Sequence, residues 1–184
     1  MKQADDLENP FAMTREEINA FLAVPRFAAV STLRKSGAPI ITVLGFEWDG
    51  EAMNLSLRST RMMVKRLARD PRISISVFNN EYPPKYVVIQ GVAQVVPDPG
   101  YEATRRKMLR YMGPESPTMT VKGLDLDEFW KGYTEVGRVF YRVKPTSILS
   151  EDGAKWGDHA HVAGAGISDA AARKRGELAP GKGR

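Results

Sequence analysis

The chain contains no cysteine and only two histidines among its 184 residues. Without cysteine it can form no disulfide, thiolate nucleophile or zinc ribbon. Both histidines, His159 and His161, lie in a tail rich in glycine and alanine, which argues against a nucleophilic triad. The same pair could supply two ligands to a metal ion, but two ligands in a solvated tail are a weak signal. We therefore predict no metal ion and no catalytic side chain.

Long apolar runs are missing as well. No run approaches the roughly 20 residues that a membrane-spanning helix needs. The first residues, Met1 to Asp6, lack the apolar core of a signal peptide. Hydrophobic residues make up 42% and charged residues 27% of the chain, as in ordinary globular proteins. We therefore expect a cytoplasmic protein without a membrane partner.

Acidic residues are missing from the start of one short helix, which is predicted to follow Thr60 and to end near Arg69. A helix N-terminus carries about half a positive charge and normally attracts aspartate or glutamate. The net charge of +5 already favours an anionic ligand, and here cations cluster at the helix start. A phosphate would relieve their repulsion, although a solvated basic face is the simpler alternative. The predicted phosphate site comprises Arg58, Ser59, Thr60, Arg61 and Lys65.

Six short strands account for most of the apolar pattern. They are predicted at 27–33, 39–48, 53–58, 73–78, 86–96 and 137–149. Asp49-Gly50 is a hairpin signal, and Gly91 indicates a bulge or bend inside a strand. Short, mostly antiparallel strands with small helices between them favour a mainly β fold, a small closed or split barrel. Side chains fill the interior of such a barrel, so a ligand must lie at its rim or against a second subunit.

The remaining segments are an N-terminal arm, the barrel domain and a largely flexible C-terminal extension. Their predicted ranges are 1–13, 14–150 and 151–184. Thr14 and Glu17 have the spacing of a capping box at the start of a first helix. Two further helices are predicted over 101–111 and 125–133.

Two features near these helices have open interpretations. The basic residues of the helix over 101–111 indicate a solvated face, or alternatively a surface that meets an acidic cofactor tail. They are Arg105, Arg106, Lys107 and Arg110. Trp156, just beyond the last strand, could fold over a partner's cofactor or pack locally.

Several segments in this order resemble the split-barrel flavin-binding family that includes pyridoxamine 5′-phosphate oxidase, and most closely its branch of deazaflavin-dependent reductases. The segments are Phe27 to Thr32, Gly37 to Val43, Arg58 to Val77 and Tyr86 to Ala93. The resemblance covers about residues 14–150. It implies a six-stranded antiparallel split barrel of the FMN-binding type, assembled as a homodimer with cofactors at the subunit interface.

The resemblance also assigns residues to the cofactor. Thr42, Val43 and Leu44 would run along the flavin ring, and their strand carries no charge from Pro39 to Phe46. Leu57 would join the phosphate site defined above, and Tyr86 would touch the cofactor. One departure is the pair Met62-Met63, which stands where pyridoxamine-phosphate oxidases carry adjacent arginine and lysine, and it argues against vitamin B6 oxidase activity.

Two classes of function follow. The first is an oxidoreductase that binds FMN, or alternatively coenzyme F-420, and passes electrons to a small organic acceptor. The second is a non-catalytic basic barrel that binds single-stranded nucleic acid, which requires aromatics interleaved with cations on one face. Phe140 between Arg138 and Arg142 is the one such arrangement. We favour the oxidoreductase and expect no nucleic-acid partner.

Overall fold

Alternating apolar and polar residues form one curled antiparallel sheet. The structure is a computed structural model that describes residues 9–112 and 125–159. Its strands are β1 (Phe27–Leu33), β2 (Pro39–Gly45), β3 (Glu47–Trp48), β4 (Met53–Arg58), β5 (Arg72–Phe78), β6 (Lys85–Val96) and β7 (Arg138–Asp152). All neighbouring strands are antiparallel, in the order β2-β1-β5-β6-β7-β4-β3. The predicted fold class, a mainly β split barrel, is confirmed.

The inward-facing side chains of the strands fill the barrel. Val30, Ile75 and Ile89 stand opposite one another across β1, β5 and β6, and all three are fully buried. Leu55 of β4 and Val143 of β7 are also fully buried. Close packing of this kind leaves no room for a ligand inside the barrel.

Short helices flank or connect the strands along the chain. They are α1 (Arg15–Ala23), α2 (Met62–Arg69), α3 (Glu102–Met112) and α4 (Leu126–Glu135), followed after β7 by a 3-10 helix (Gly153–His159). The predicted capping box is confirmed, since the Thr14 hydroxyl accepts from the Glu17 amide while the Glu17 carboxylate accepts from the Thr14 amide. No helix in the described part of the chain is long and apolar enough to cross a membrane.

The strand count is seven rather than six because the strand predicted over 39–48 is divided at Phe46. Phe46 turns into the core, where only 2% of its surface stays exposed, and its backbone leaves the ladder. The bulge predicted at Gly91 is confirmed by a register shift between Gln90 and Gly91. The last strand runs on to Asp152. The tail beyond residue 159, including His161, lies outside the described residues.

Candidate functional site: a basic cleft at the barrel seam

The barrel has a gap between β2 and β4. The β3–β4 hairpin pairs only at Glu47–Asn54 and Trp48–Met53, and beyond those pairs β2 and β4 separate. A cleft of about 260 Å³ lies there. Its lining comprises Phe27, Val43, Leu44, Gly45, Ser56, Leu57, Arg58, Arg61, Lys107, Met108, Tyr111, Tyr133 and Arg138. The cleft therefore combines an apolar wall on β2 with a basic wall on the opposite side.

The outer edge of β2 forms part of the apolar wall. β2 is the edge strand of the sheet and pairs with β1 on its other side, so the backbone of its outer edge has no strand partner among the described residues. Val43 is 65% exposed, whereas Leu44 faces the core. A flat ligand lying here could bond to backbone N–H and C=O groups while packing on apolar side chains.

Arg58 and Arg61 form the exposed rim of the basic wall. Arg58 ends β4, and Arg61 is the N-cap residue of α2, where it makes no side-chain capping bond. The first turn of α2 contains no acid, as predicted. Within the described residues, neither arginine forms a salt bridge with a carboxylate.

Lys107 of α3 is the buried cation of the cleft. Only 4% of its surface is exposed. Burial lowers the pKa of its amine to about 8, and repulsion from Arg138 acts in the same direction. Glu47 opposes this shift but does not pair with Lys107, because its two oxygens accept from Arg106 at 2.8 and 3.2 Å.

Arg138 of β7 is the fourth cation. Its guanidinium lies 3.6 Å from the centre of the Tyr133 ring and donates to the Tyr133 hydroxyl. Burial lowers the pKa of Arg138 to about 10, and the positive charges of Arg58 and Arg61 contribute. Four cations thus converge on one cleft whose lining contains no acidic residue. Such a cluster is an electrostatic match for a phosphorylated ligand.

Three polar side chains of α3 hold the helix across the gap. The Thr104 hydroxyl lies 3.0 Å from that of Ser56 on β4, and Arg106 pairs with Glu47 on β3. The Tyr111 hydroxyl lies 2.8 Å from the backbone N of Phe46 and 2.6 Å from its carbonyl oxygen. These last contacts satisfy the backbone at the break between β2 and β3, so Tyr111 accounts for the divided strand.

The structure places half of the predicted site residues in the cleft and half outside its lining. Those inside are Val43, Leu44, Leu57, Arg58 and Arg61. Those outside are Thr42, Ser59, Thr60, Lys65 and Tyr86.

The residues outside the cleft have other surroundings. The Ser59 hydroxyl donates to the Val136 carbonyl at 3.1 Å instead of capping α2, which begins only after Arg61. Thr60 and Lys65 are exposed. Thr42 is partly exposed on β2 beside the cleft residue Val43.

Tyr86 belongs to a separate cluster on the outer face of the sheet. Its hydroxyl donates to the Glu151 carboxylate at 2.8 Å, and the Trp156 indole donates to the same carboxylate at 3.0 Å. Burial, together with Glu151, raises the pKa of Tyr86 to about 12. The predicted contact of Tyr86 with a cofactor therefore cannot be made in the cleft of its own chain.

Sequence reasoning did not assign five polar residues of the cleft lining to the site: Ser56, Lys107, Tyr111, Tyr133 and Arg138. The interpretation of the whole Arg105–Arg110 cluster as a solvated face is wrong for Lys107. Thr104, Lys107 and Tyr111 recur at helical spacing and share one face with Met108, which is the signal that could have identified them. In the sequence Arg138 stands out only as a neighbour of Phe140, and the structure shows that Phe140 is buried.

These features define a split-barrel protein with a basic cleft at its seam. The chain belongs to the pyridoxamine 5′-phosphate oxidase family, whose model matches residues 14–133. No curated protein sequence matches the chain.

Several solved structures share the fold. A conserved hypothetical protein from Mycobacterium tuberculosis is 23% identical, with a TM-score of 0.66 over 85% of this chain and 93% of its own. An F-420 reductase is 25% identical, with a TM-score of 0.56 over 71% of this chain and 94% of its own. An FAD-binding protein from Mesorhizobium loti is 15% identical, with a TM-score of 0.53 over 76% and 93%.

Proposed function

We propose that the protein is a flavin-dependent oxidoreductase that binds FMN in the seam cleft and passes electrons to a small organic acceptor. The observation that carries this proposal is the pairing of an apolar strand edge with four cations that have no acidic residue among them in the cleft lining. The phosphate of FMN would lie against Arg58 and Arg61, and the ring along Thr42, Val43 and Leu44. A bound flavin would carry the electrons, while the chain positions it and supplies the electrostatic field.

The residues present fit such a cofactor. Lys107 is buried without an acceptor among the described residues, and burying an unpaired charge is costly unless a ligand offsets it. The outer edge of β2 offers backbone groups to the polar edge of a ring. No ionisable side chain lies on β2 itself.

Coenzyme F-420 is the second candidate cofactor. The observation in its favour is the likeness to an F-420 reductase. Its phosphate would meet the same rim arginines, and its acidic tail would require further cations. Of the other basic residues of α3, Arg105 is exposed, whereas Arg110 is half-buried and donates to the Ala23 carbonyl.

A nucleic-acid function is less well supported. Base stacking needs an exposed aromatic ring between cations. Phe140 is only 7% exposed, and its neighbour Arg138 faces the cleft. The one sequence feature that favoured this alternative therefore offers no stacking surface.

We expect a homodimer. A pocket that buries a drug-sized ligand usually measures about 300–1,000 Å³, more than this chain supplies in the cleft alone. Several large apolar side chains on the strands are exposed, namely Phe27, Ile41, Val43, Phe78 and Leu149. A twofold interface would cover them and could bring Tyr86 of one subunit to the other's cleft. Sedimentation should give twice the mass of the 20.4 kDa chain, and a monomer with bound FMN at micromolar concentration would contradict the proposal.

Replacing the rim cation Arg61 with alanine should weaken FMN binding at least tenfold. A charge-assisted hydrogen bond contributes about 1.5–3 kcal/mol, and roughly 1.4 kcal/mol corresponds to a factor of ten. Binding is measured by quenching of FMN fluorescence, with thermal unfolding to show that the apo-protein remains folded.

Two further variants are needed to interpret the result for Arg61→Ala. Lys35→Ala, in an exposed turn, is the matched control and should bind FMN normally. Lys65→Ala tests the exposed face of α2. If it weakened FMN binding as much as Arg61→Ala does, the phosphate would lie on α2 outside the cleft. Unchanged affinity in Arg61→Ala would defeat the proposed phosphate site.

A further inference from the structure

Lys107 differs from the other cations of the cleft in being almost completely buried. Among the described residues no carboxylate lies within 4.0 Å of its amine, and no hydrogen-bond acceptor satisfies it. Its amine lies 5.9 Å from the centre of the Tyr111 ring. In surroundings of low dielectric, such a charge interacts with a neighbouring ligand far more strongly than an exposed arginine does.

The side chain cannot easily leave this position. Thr104, three residues before Lys107, bonds to Ser56 on β4, and Tyr111, four residues after it, bonds to Phe46. Residues at these spacings share one helix face, so the Lys107 stem lies between two anchored neighbours. The part of α3 that carries Lys107 is therefore held in place before any ligand binds, and the burial of the side chain restricts where its amine can lie.

The anchors also locate Lys107 along the gap. A Cβ atom on Gly45 would lie 3.0 Å from the Tyr111 ring, so this part of α3 packs against the end of β2. Arg61, by contrast, begins α2 after the far end of β4. Both cations line one cleft, and the charge of Arg61 acts on the Lys107 amine. The packing of Tyr111 on Gly45 also brings the Lys107 part of α3 to the end of β2, where Val43 and Leu44 line the same cleft.

We propose that Lys107 is a fixed positive charge facing the flavin ring, and that it raises the cofactor's reduction potential by favouring the reduced ring. This inference rests on the proposed function. Two electrons and one proton enter an oxidised flavin on full reduction at neutral pH, so the ring gains one net negative charge. A buried cation beside it stabilises the reduced form more than the neutral oxidised form.

The test is the midpoint potential of the FMN-loaded protein, titrated with dithionite against a reference dye. Lys107→Met removes the charge and keeps an unbranched side chain of similar length. Reduced FMN should then lose at least tenfold in affinity relative to oxidised FMN, which for a two-electron couple lowers the potential by about 30 mV. Lys107→Arg should keep the wild-type potential, and so should the control Lys35→Met in the exposed turn between β1 and β2.

Folding should not obscure this result. A buried unpaired charge carries a desolvation cost that methionine does not, so apo Lys107→Met should unfold no earlier than the wild type. An unchanged potential in Lys107→Met overturns the inference. A loss of affinity equal for oxidised and reduced FMN also overturns it, because Lys107 would then hold the phosphate. If the wild-type chain binds no FMN, both this inference and the proposed function fail.

Discussion

Replacing Val43 with aspartate is expected to abolish FMN binding while the barrel stays folded. The Val43 side chain is 65% exposed and lines the cleft, so the substitution does not bury a charge in the core of the free chain. In the complex, however, the carboxylate would lie under an apolar ring and lose its hydration, which is costly. It would also compete with the phosphate for the cations of the opposite wall. Affinity should fall at least about a hundredfold, since losses of roughly 3 kcal/mol are common when a charge is left unsatisfied.

A fluorescence titration measures this loss, and circular dichroism at rising temperature reports the fold. Ser36→Asp adds the same charge in the exposed turn between β1 and β2. It should change neither the FMN affinity nor the unfolding temperature. Full FMN affinity in Val43→Asp would show that the ring lies elsewhere. The phosphate site would then be the surviving part of the proposal.

Replacing Gly91 with alanine is expected to destabilise the protein by about 2–3 kcal/mol, the upper range for overpacking a core. A Cβ atom at this position would lie 2.5 Å from the Lys144 carbonyl oxygen and 2.9 Å from a methyl group of Val143. The backbone of β7 would have to move away from β6 at the bulge. Urea unfolding measures the change.

Gly132→Ala is the matched control for this substitution. Gly132 lies inside α4, and nothing would come within 4 Å of an added Cβ atom. Alanine there should be neutral or stabilise the protein by up to about 1 kcal/mol, because glycine is a poor helix former. If Gly91→Ala were as stable as Gly132→Ala, β6 and β7 could not pack at the bulge as described.

Local sequence patterns predicted the strands well because each strand alternates between core and surface. The bounds of β1 and β4 are those predicted, and the hairpin at Asp49-Gly50 joins β3 to β4. The division at Phe46 could not be predicted in this way. Its cause is the hydroxyl of Tyr111, which is 65 residues away in the chain.

The cleft was predicted only in part, because local sequence patterns reveal some of its residues and long-range packing decides the others. Arg58 and Arg61 stand out locally because a helix start without acids is unusual. Lys107 lies among other cations in sequence, so composition indicated a solvated face, and only the packing of α3 shows that one of these cations is buried. Ser59 was assigned to the helix start because of its hydroxyl, but the α4–β7 connection provides its acceptor.

The gap between β2 and β4 has a further consequence, for aggregation. The edges of strands recruit strands from other chains, and natural proteins normally cover or charge them. Here the outer edge of β2 is uncharged and carries the exposed residues Ile41 and Val43. A ligand in the cleft would shield Val43 on this edge, so binding would also lower the tendency of β2 to pair with strands of other chains.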